Sequence, residues 1–396
     1  MSYFDFSYSQ QTKLVFGANT ESQTGELLAG FGAKKVLITL GGGSAIKSGL
    51  LQRVTDSLDA QNIGWTLYEG CRANPEEKWV DAGAKVYQTE NCDFLLAIGG
   101  GSVIDATKAM ALLAANPGEH IWPYLTYEMT AENPAAPVGV VLTIAATGSE
   151  CDASFVISSG ETQDKLLFTE DTTMPRFAVC NPELTYSVSN WQTACGISDI
   201  LSHLLEQYLY CDNGCSVSDE MLLGLMRSVV KWGPVALREP ENYDARANLM
   251  LASTLAMNGL VGAGHDQNWT THCLEHAVSA VWPNVAHGAG MACLMPAYLK
   301  LVAPHDICGK QARFGTDVFG VQPGENAAFD AAEALREFYC QLGLPATLQA
   351  LVGEEPTEAQ MAAVVAKSLP WGPMLSGGYP EFAEEDVKAL FALTQA

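Results

Sequence analysis

Histidines and one aspartate with helical spacing are the residues of this sequence most able to do chemistry. The chain has 7 histidines, and three of them, His272, His276 and His287, lie close together. Upstream, Asp199 and His203 stand four positions apart in an apolar stretch, where a helix would place both side chains on one face. A carboxylate and several imidazoles form the ligand set of a divalent metal that keeps a coordination position open.

Each histidine taken alone also fits a less specific interpretation, as a hydrogen-bonded core residue or a surface residue. The cluster is harder to explain in that way, because an unpaired carboxylate in the apolar helix of Asp199 would be costly. The sequence therefore predicts a metal site. Glu275, next to His276, fits a solvated or capping role as readily as a catalytic one.

The composition is that of a globular, acidic protein. The 396 residues are enough for two or three domains, and 48% are hydrophobic while 17% are charged. The net charge of −24 argues against nucleic acid, which needs basic patches, and against anionic membrane surfaces. We expect neither kind of partner.

The N-terminus and the cysteines bear on the cellular compartment. Residues 1–17 have no basic start and no apolar stretch, so no signal peptide is expected. No apolar run reaches the ~18 residues that a membrane helix needs. The 11 cysteines are scattered, which we interpret as reduced thiols. We therefore expect a cytoplasmic protein.

Short apolar runs alternate with helical periodicity in the first half of the chain. A repeat of strand, glycine turn and helix is typical of a parallel α/β sheet. A small hairpin is also expected, at 155–158 and 166–169. The predicted strands are 35–40, 65–68, 93–98 and 138–144, and the predicted helices are 45–61, 76–90 and 103–115.

Helical periodicity replaces the strands after about residue 184. Long helices are predicted at 219–231, 244–258 and 327–341. We therefore expect two domains, an α/β domain over 1–184 and an all-helical domain over 185–396.

The glycine turns have the composition of phosphate-binding loops. Gly41–Ser44 and Gly99–Ser102 each lie between a strand and a helix, where glycines let a phosphate approach backbone N–H groups. Neither fits the spacing G-x-G-x-x-G, and either alone could be only a tight turn. Thr143–Glu150 adds a third polar segment at a strand end, on the edge where parallel sheets bind ligands. Together the three segments predict a nucleotide site.

Four motifs in this order resemble the iron-containing, or group III, alcohol dehydrogenases. They are GGGSVID at 99–105, TIAATGSE at 143–150, Asp199-x3-His203, and His272-x3-His276 followed by His287. The resemblance extends over residues 5 to about 305 and is greatest to the butanol dehydrogenase and NADPH-dependent aldehyde reductase branch. It implies an N-terminal Rossmann-like domain with a parallel sheet and an all-α C-terminal domain, in a dehydroquinate-synthase-like architecture. A metal in the cleft between the domains and a homodimer are also implied.

The resemblance further implies roles for the clustered residues. In the family pattern His276 lies near the nicotinamide rather than on the metal, although it shares a helix face with His272 and either could be the ligand. The interval from His276 to His287 is slightly longer than in the family, which puts the rim of the substrate pocket in question. The implied metal ligands are Asp199, His203, His272 and His287.

Cofactor contacts are implied at several strand ends. The second glycine turn matches the pyrophosphate turn of the family, with Asp105 fixing it. Asp152 stands where the aldehyde reductases often have Asn, a departure that could weaken one phosphate or ribose contact. The residues assigned to the cofactor are Gly41, Gly42, Gly43, Ser44, Asn74, Gly100, Gly101, Ser102, Asp105, Thr143, Thr147, Asp152, Lys165 and Leu184.

The expected function is NAD(P)-linked oxidation of alcohols or reduction of aldehydes, with Fe²⁺ or Zn²⁺ as a Lewis acid on the substrate oxygen. Few Lys or Arg occur over 185–300, whereas Trp269, Trp282 and Leu260 are available. Uncharged substrates of short to medium length are therefore expected.

The first glycine turn bears on the choice between NADP(H) and NAD(H). An acidic side chain after this strand would accept from the ribose 2′-OH and repel a 2′-phosphate, and NAD-preferring relatives in the family typically have one there. Gly41–Ser44 has none, and Lys47 adds positive charge. The sequence thus predicts NADP(H), unless the turn is only a structural one.

Two other functions share these features. A dehydroquinate-synthase-like lyase, or another sugar-processing enzyme of the same fold, would need a basic pocket for a phosphorylated sugar acid. A non-enzymatic nucleotide- or metal-binding protein would keep the glycine turns but would not need an open metal position.

Overall fold

The computed structural model describes residues 5–209, 214–265, 267–306, 308–368 and 382–395. The chain divides into two compact units. One is Ser9–Ser187, and the other runs from Val188 onwards and includes the residues before Ser9. Each unit has its own hydrophobic core.

The first unit is built on a six-stranded sheet in which the paired strands run parallel. Its strand order is β1-β8-β5-β4-β2-β3, and β6 and β7 form a separate antiparallel hairpin. The strands are β1 Lys13–Phe16, β2 Lys35–Leu40, β3 Gly64–Tyr68, β4 Phe94–Gly99, β5 Val138–Leu142, β6 Ser154–Ser158, β7 Lys165–Thr169 and β8 Phe177–Cys180.

The inner strands of this sheet are continuous apolar runs. Strands β4 and β5 are buried at every position, as strands covered on both faces require. The helices of this unit are α1 Thr24–Gly30, α2 Ser44–Lys47, α3 Leu50–Asp59, α4 Glu77–Thr89, α5 Gly101–Ala115 and α6 Trp122–Leu125.

The parallel sheet and the hairpin confirm the expected α/β organisation, with two differences. The edge strand β1 and its neighbour β8 were not predicted. The helix predicted over 45–61 is two helices, α2 and α3. Gly49 stands between them with φ at 73°, a left-handed backbone that glycine adopts readily and that interrupts the helix.

In the described residues of the second unit, helices are the regular secondary structure. Its helices are α7 Asn190–Tyr208, α8 Ser216–Arg238, α9 Tyr243–Met257, α10 Thr270–Val281, α11 His287–Val302, α12 Lys310–Phe314, α13 Ala327–Gln341, α14 Leu348–Val352, α15 Glu358–Ser368 and α16 Glu384–Leu393, with a π-helical turn at Gly315–Phe319.

Helices α7 and α11 pack so closely that no side chain fits between their backbones at Gly288. A Cβ atom on Gly288, at the start of α11, would lie 2.0 Å from the carbonyl oxygen of Cys195 on α7. Only glycine fits there, so the two helices that carry Asp199 and His287 are held close together. None of the helices in the described ranges is long and apolar enough to cross a membrane.

Candidate metal centre and cofactor turns

Helix α7 holds the carboxylate at the centre of the candidate metal site. The helix begins after Ser189, whose side chain accepts a hydrogen bond from the Gln192 amide, and it is buried from 193 to 208. Asp199 lies in the middle of this stretch and is 3% exposed. His203 follows one turn later on the same face. Helix α7 thus contributes one buried carboxylate and one buried imidazole to the candidate site.

Three imidazole nitrogens converge on one oxygen of Asp199. The Nε2 atoms of His287, His272 and His203 lie 3.4, 3.6 and 3.8 Å from Asp199 Oδ1. These separations are long for hydrogen bonds, whose N–O distances are about 2.7–3.2 Å. They match the spacing of metal ligands instead, because atoms placed about 2.1 Å from one ion at the corners of a tetrahedron lie about 3.4 Å apart.

The lack of hydrogen-bond partners for two buried atoms of this cluster fits a divalent cation. Within the described residues, Asp199 Oδ1 and His272 Nε2 are buried and have no hydrogen-bond partner, which is costly without a counter-charge. Burial acts to raise the pKa of Asp199, but the neighbouring imidazoles, His203 foremost, hold that pKa well below its usual range. Burial lowers the pKa of His203 to about 3, so its imidazole is neutral and can donate a lone pair.

Not all of the expected metal ligands place their ligand atoms in one compact group. The ligand atoms of Asp199, His272 and His287 lie within 4.8 Å of one another. His203 stands slightly farther out, and its ring stacks on that of His272 with centroids 4.5 Å apart. His276 falls in a different set, which shares His287, and its ring lies 5.6 Å from that of His287. The structure therefore brings His272, rather than His276, to the carboxylate.

Two glutamates outside the expected ligand set contact the histidine rings through the nitrogen that does not face Asp199. Nδ1 of His272 contacts a carboxylate oxygen of Glu206, and Nδ1 of His287 contacts one of Glu275. Both glutamates are buried, and Glu275 is 0% exposed, so the solvated role considered for it is wrong. The available signal was spacing, since Glu206 and Glu275 each stand three residues after a histidine.

An aromatic ring covers one side of this cluster. Trp269 meets His203 and His272 edge-on, with ring centroids 6.1 and 5.5 Å apart. Trp282 is partly buried against the core of the helical unit, and Leu260 is 36% exposed. Of the three apolar side chains named from the sequence, Trp269 is the one in contact with the histidines.

In the α/β unit, the second glycine turn and the third polar segment pack against each other. Strand β4 ends at Gly99 and α5 begins at Gly101. A Cβ atom on Gly100 would lie 2.1 Å from Cγ2 of Ile144, and one on Gly101 would lie 2.5 Å from Cγ2 of Thr147. Glycine is required at both positions by this close approach. Ser102, in the first turn of α5, is partly exposed.

Hydrogen bonds of Asp105, on α5, and of Asp152, which lies after β5, connect these two parts of the chain. Asp105 accepts from the Ser149 hydroxyl at 2.6 Å and from the Val156 amide at 3.0 Å, and burial raises its pKa to about 6. Asp152 Oδ1 accepts from the buried ammonium of Lys108 at 2.7 Å. This oxygen of Asp152 is therefore engaged inside the protein, and the network fixes the segment after β5 against α5.

The first glycine turn is more open. Gly41 is confined, because a Cβ there would lie 3.4 Å from the Cys71 carbonyl oxygen. Gly42 and Gly43 have no atom within 4 Å of such a Cβ, although Gly43 has φ at 85°. Gly42 is exposed, as is Ser44, the first residue of α2.

The remaining residues assigned to the cofactor are spread over the α/β unit. Thr143 follows β5 and donates its N–H to Gly99 O at 3.0 Å. Asn74 has a left-handed backbone with φ at 52°. Lys165 lies in β7 and is 8% exposed. Leu184 packs against the apolar core of the unit.

Two family models match the chain, one over each unit. The model of the iron-containing alcohol dehydrogenases matches residues 11–182, and the model of the C-terminal part of the Fe-containing alcohol dehydrogenase family matches residues 193–394. The NADH-dependent butanol dehydrogenase A of Clostridium acetobutylicum is 35% identical over 371 residues, which are 92% of this chain and 93% of that protein.

Further relatives agree with this match. The NADPH-dependent aldehyde reductase YqhD of Escherichia coli is 36% identical over 348 residues, 87% of this chain and 88% of that protein. The crystal structure of NADH-dependent butanol dehydrogenase A from Thermotoga maritima matches with a TM-score of 0.93 and 30% identity, over 99% of each chain.

Glycine turns on a parallel sheet, together with a carboxylate and three imidazoles on helices, define a nucleotide-linked metalloenzyme. The matches make the class specific, because the chain belongs to the iron-containing alcohol dehydrogenase family. It is a metal-dependent alcohol or aldehyde oxidoreductase that uses a nicotinamide cofactor, so the expected family, fold class and function are confirmed. The names of the two sequence relatives differ in the cofactor, and membership alone does not select NADP(H).

Proposed function

We propose that this protein reduces uncharged aldehydes of short to medium length with NADPH, through one divalent metal held by Asp199, His203, His272 and His287. The observation that carries the proposal is the convergence of three Nε2 atoms on Asp199 Oδ1 at 3.4–3.8 Å. A donor set of one oxygen and three nitrogens accepts Fe²⁺ or Zn²⁺. When bound, the metal supplies a Lewis acid for the substrate oxygen.

His276 is assigned to proton transfer rather than to the metal. It lies on α10 one turn after His272, is 6% exposed, and its ring is 5.6 Å from that of His287. An imidazole can give and take a proton near neutral pH, which the alcohol oxygen requires when hydride reaches the carbonyl carbon.

The two domains take separate roles in this proposal. Residues 1–184 bind the dinucleotide, and residues 185–396 bind the metal and the substrate. From the family resemblance we also propose that the protein is a homodimer and is located in the cytoplasm. Light scattering of the purified protein tests the dimer.

The direct test of the proposed function is NADPH oxidation, followed at 340 nm, with butanal and metal-loaded protein. We expect turnover that depends on both the aldehyde and the metal. Absence of turnover with either nicotinamide, across a panel of aldehydes and alcohols, would refute the proposal.

The substrate class gives a quantitative prediction. We expect kcat/KM for butanal to exceed that for 4-oxobutanoate, an aldehyde of equal length with a carboxylate, by about tenfold or more, since burying an unpaired charge costs at least ~1.4 kcal/mol. Trp269→Ala should lower kcat/KM for butanal, because this ring covers the side of the cluster formed by His203 and His272. Trp191, which is 46% exposed, gives the control Trp191→Ala. A preference for 4-oxobutanoate would contradict the proposed substrate class.

Cofactor choice is tested best at Gly42. This glycine is exposed, a Cβ there meets no atom within 4 Å, and its φ is not in the left-handed region, whereas Gly43 has φ at 85°. We expect the wild type to favour NADPH, and Gly42→Asp to shift the ratio of kcat/KM values towards NADH by about tenfold or more, because a carboxylate repels the 2′-phosphate.

The control for this substitution is Gly42→Ala, which adds a side chain without charge and should leave the ratio unchanged. A wild type that favours NADH would remove the NADPH preference from the proposal. An unchanged ratio in Gly42→Asp would show that the turn does not contact the 2′ position.

A further inference from the structure

Behind the candidate metal ligands lie two carboxylates that have no assigned role, Glu206 and Glu275. Each contacts the Nδ1 atom of a histidine whose Nε2 atom faces Asp199, namely His272 and His287 respectively. An imidazole whose Nδ1–H is donated to a carboxylate has its Nε2 lone pair free for a metal, and its ring is fixed in one orientation.

Glu206 is held firmly in this position. Its Oε1 atom accepts hydrogen bonds from the Thr271 amide at 2.6 Å and from the Thr271 hydroxyl at 2.6 Å. The same oxygen lies 3.4 Å from the backbone N of His272, so it serves N–H groups in the first turn of α10 that have no partner within the helix. The other carboxylate oxygen contacts the His272 ring. One side chain of α7 thus fixes both the start of α10 and the ring that α10 carries.

Glu275 is held by different groups. Its Oε1 atom accepts from the Ser279 hydroxyl at 2.5 Å, and its Oε2 atom contacts Nδ1 of His287 on α11. Opposite it, Gly290 has no side chain, and a Cβ there would lie 2.7 Å from Cγ of Glu275. The sequence therefore leaves space on α11 for a buried carboxylate from α10.

We infer that Glu206 and Glu275 are positioning residues that orient His272 and His287 and thereby set the affinity of the site for its metal. This inference rests on the proposed ligand set. It assigns to each glutamate a hydrogen bond to a ligand, and no contact with the metal.

The test measures metal affinity rather than activity. Metal-free full-length protein is titrated with Zn²⁺ in competition with a chromophoric chelator, and with Co²⁺ to record the ligand-field spectrum. Glu206→Gln and Glu275→Gln should each weaken Zn²⁺ binding by about 10–100-fold and alter the Co²⁺ spectrum, the range typical for loss of such partners.

Asp219→Asn is the matched control. Asp219 is a buried carboxylate of the same unit that lies 3.1 Å from Nε2 of His265 and accepts from Lys310 at 2.9 Å. Its substitution should lower the melting temperature and leave Zn²⁺ affinity within about twofold of wild type. If Asp219→Asn weakens binding as much as the glutamate variants do, the effect is one of general stability and the inference fails.

A reference variant separates this inference from the proposed function. If His272→Ala loses Zn²⁺ while both glutamate variants bind it with wild-type affinity, the ligand set stands and the positioning role is refuted. If His272→Ala binds Zn²⁺ as the wild type does, the ligand set itself is wrong. Should Glu206→Gln fail to fold because it also supports the start of α10, Glu275→Gln decides the question alone.

Discussion

Replacing His272 or His287 by Ala is expected to release the metal and to lower kcat by about 10³-fold or more, because the Lewis acid contributes several kcal/mol to the transition state. Both Nε2 atoms face Asp199 Oδ1, at 3.6 and 3.4 Å, so loss of either ring removes a ligand. His276→Ala should keep the metal and lose rate, since the Nε2 atoms that converge on Asp199 Oδ1 belong to His203, His272 and His287. Elemental analysis of each variant and the rate of NADPH oxidation with butanal are the two measurements.

The control for these variants is His120→Ala, on the surface of the α/β unit, where the imidazole pairs with Asp81 at 2.7 Å. It should keep both metal and activity. A chelator should inactivate the wild type, and added metal should restore it. Metal loss in His276→Ala with full occupancy in His272→Ala would reverse the roles assigned to these two histidines.

Gly288→Ala is expected to destabilise the helical unit strongly. The added Cβ would lie 2.0 Å from the carbonyl oxygen of Cys195, and a backbone atom cannot swing aside as a side chain can. Helices α7 and α11 must then separate, at a cost of about 3 kcal/mol or more and a fall in melting temperature of roughly 5–10 °C. Because α7 carries Asp199 and α11 begins at His287, metal affinity should fall as well.

Gly224→Ala is the matched control, a helical glycine of the same unit where the added Cβ meets only the end of Arg227, at 3.8 Å. It should leave the melting temperature unchanged or raise it, since alanine favours a helix interior over glycine by up to about 1 kcal/mol. Equal melting temperatures for Gly288→Ala and wild type would show that the close approach of α7 and α11 is not required.

Strong periodicity made much of the fold predictable from the sequence. The helix Ala327–Gln341 and the strand Lys35–Leu40 occur at their predicted residues. The strands Lys13–Phe16 and Phe177–Cys180 were missed, although other strands of four residues were predicted, because so short a run carries a weak pattern and the pairing of these two strands is evident only in the structure. The break at Gly49 was missed because a glycine within helical periodicity is often tolerated, and its left-handed backbone is evident only in the structure.

The part of the candidate site that shows in residue type and spacing was predictable from the sequence. Asp199 and the histidines are rare residue types in an apolar context, and these features are visible in a sequence. Glu206 and Glu275 were not distinguishable from other glutamates, because a spacing of three residues from a histidine is common on helices. Their role depends on burial and on helices α7, α10 and α11 meeting, which the sequence does not show.

The central claim is that one metal is held by Asp199, His203, His272 and His287. The most direct test is anomalous diffraction at the metal absorption edge, measured on crystals of the metal-loaded protein. The account predicts one strong peak in the helical unit, about 2.0–2.2 Å from the Asp199 carboxylate and from Nε2 of the three histidines. Glu275, His276 and His287 offer a second set of ligand atoms within 4.8 Å of one another. A peak centred on that second set, or no peak near Asp199, would contradict the account.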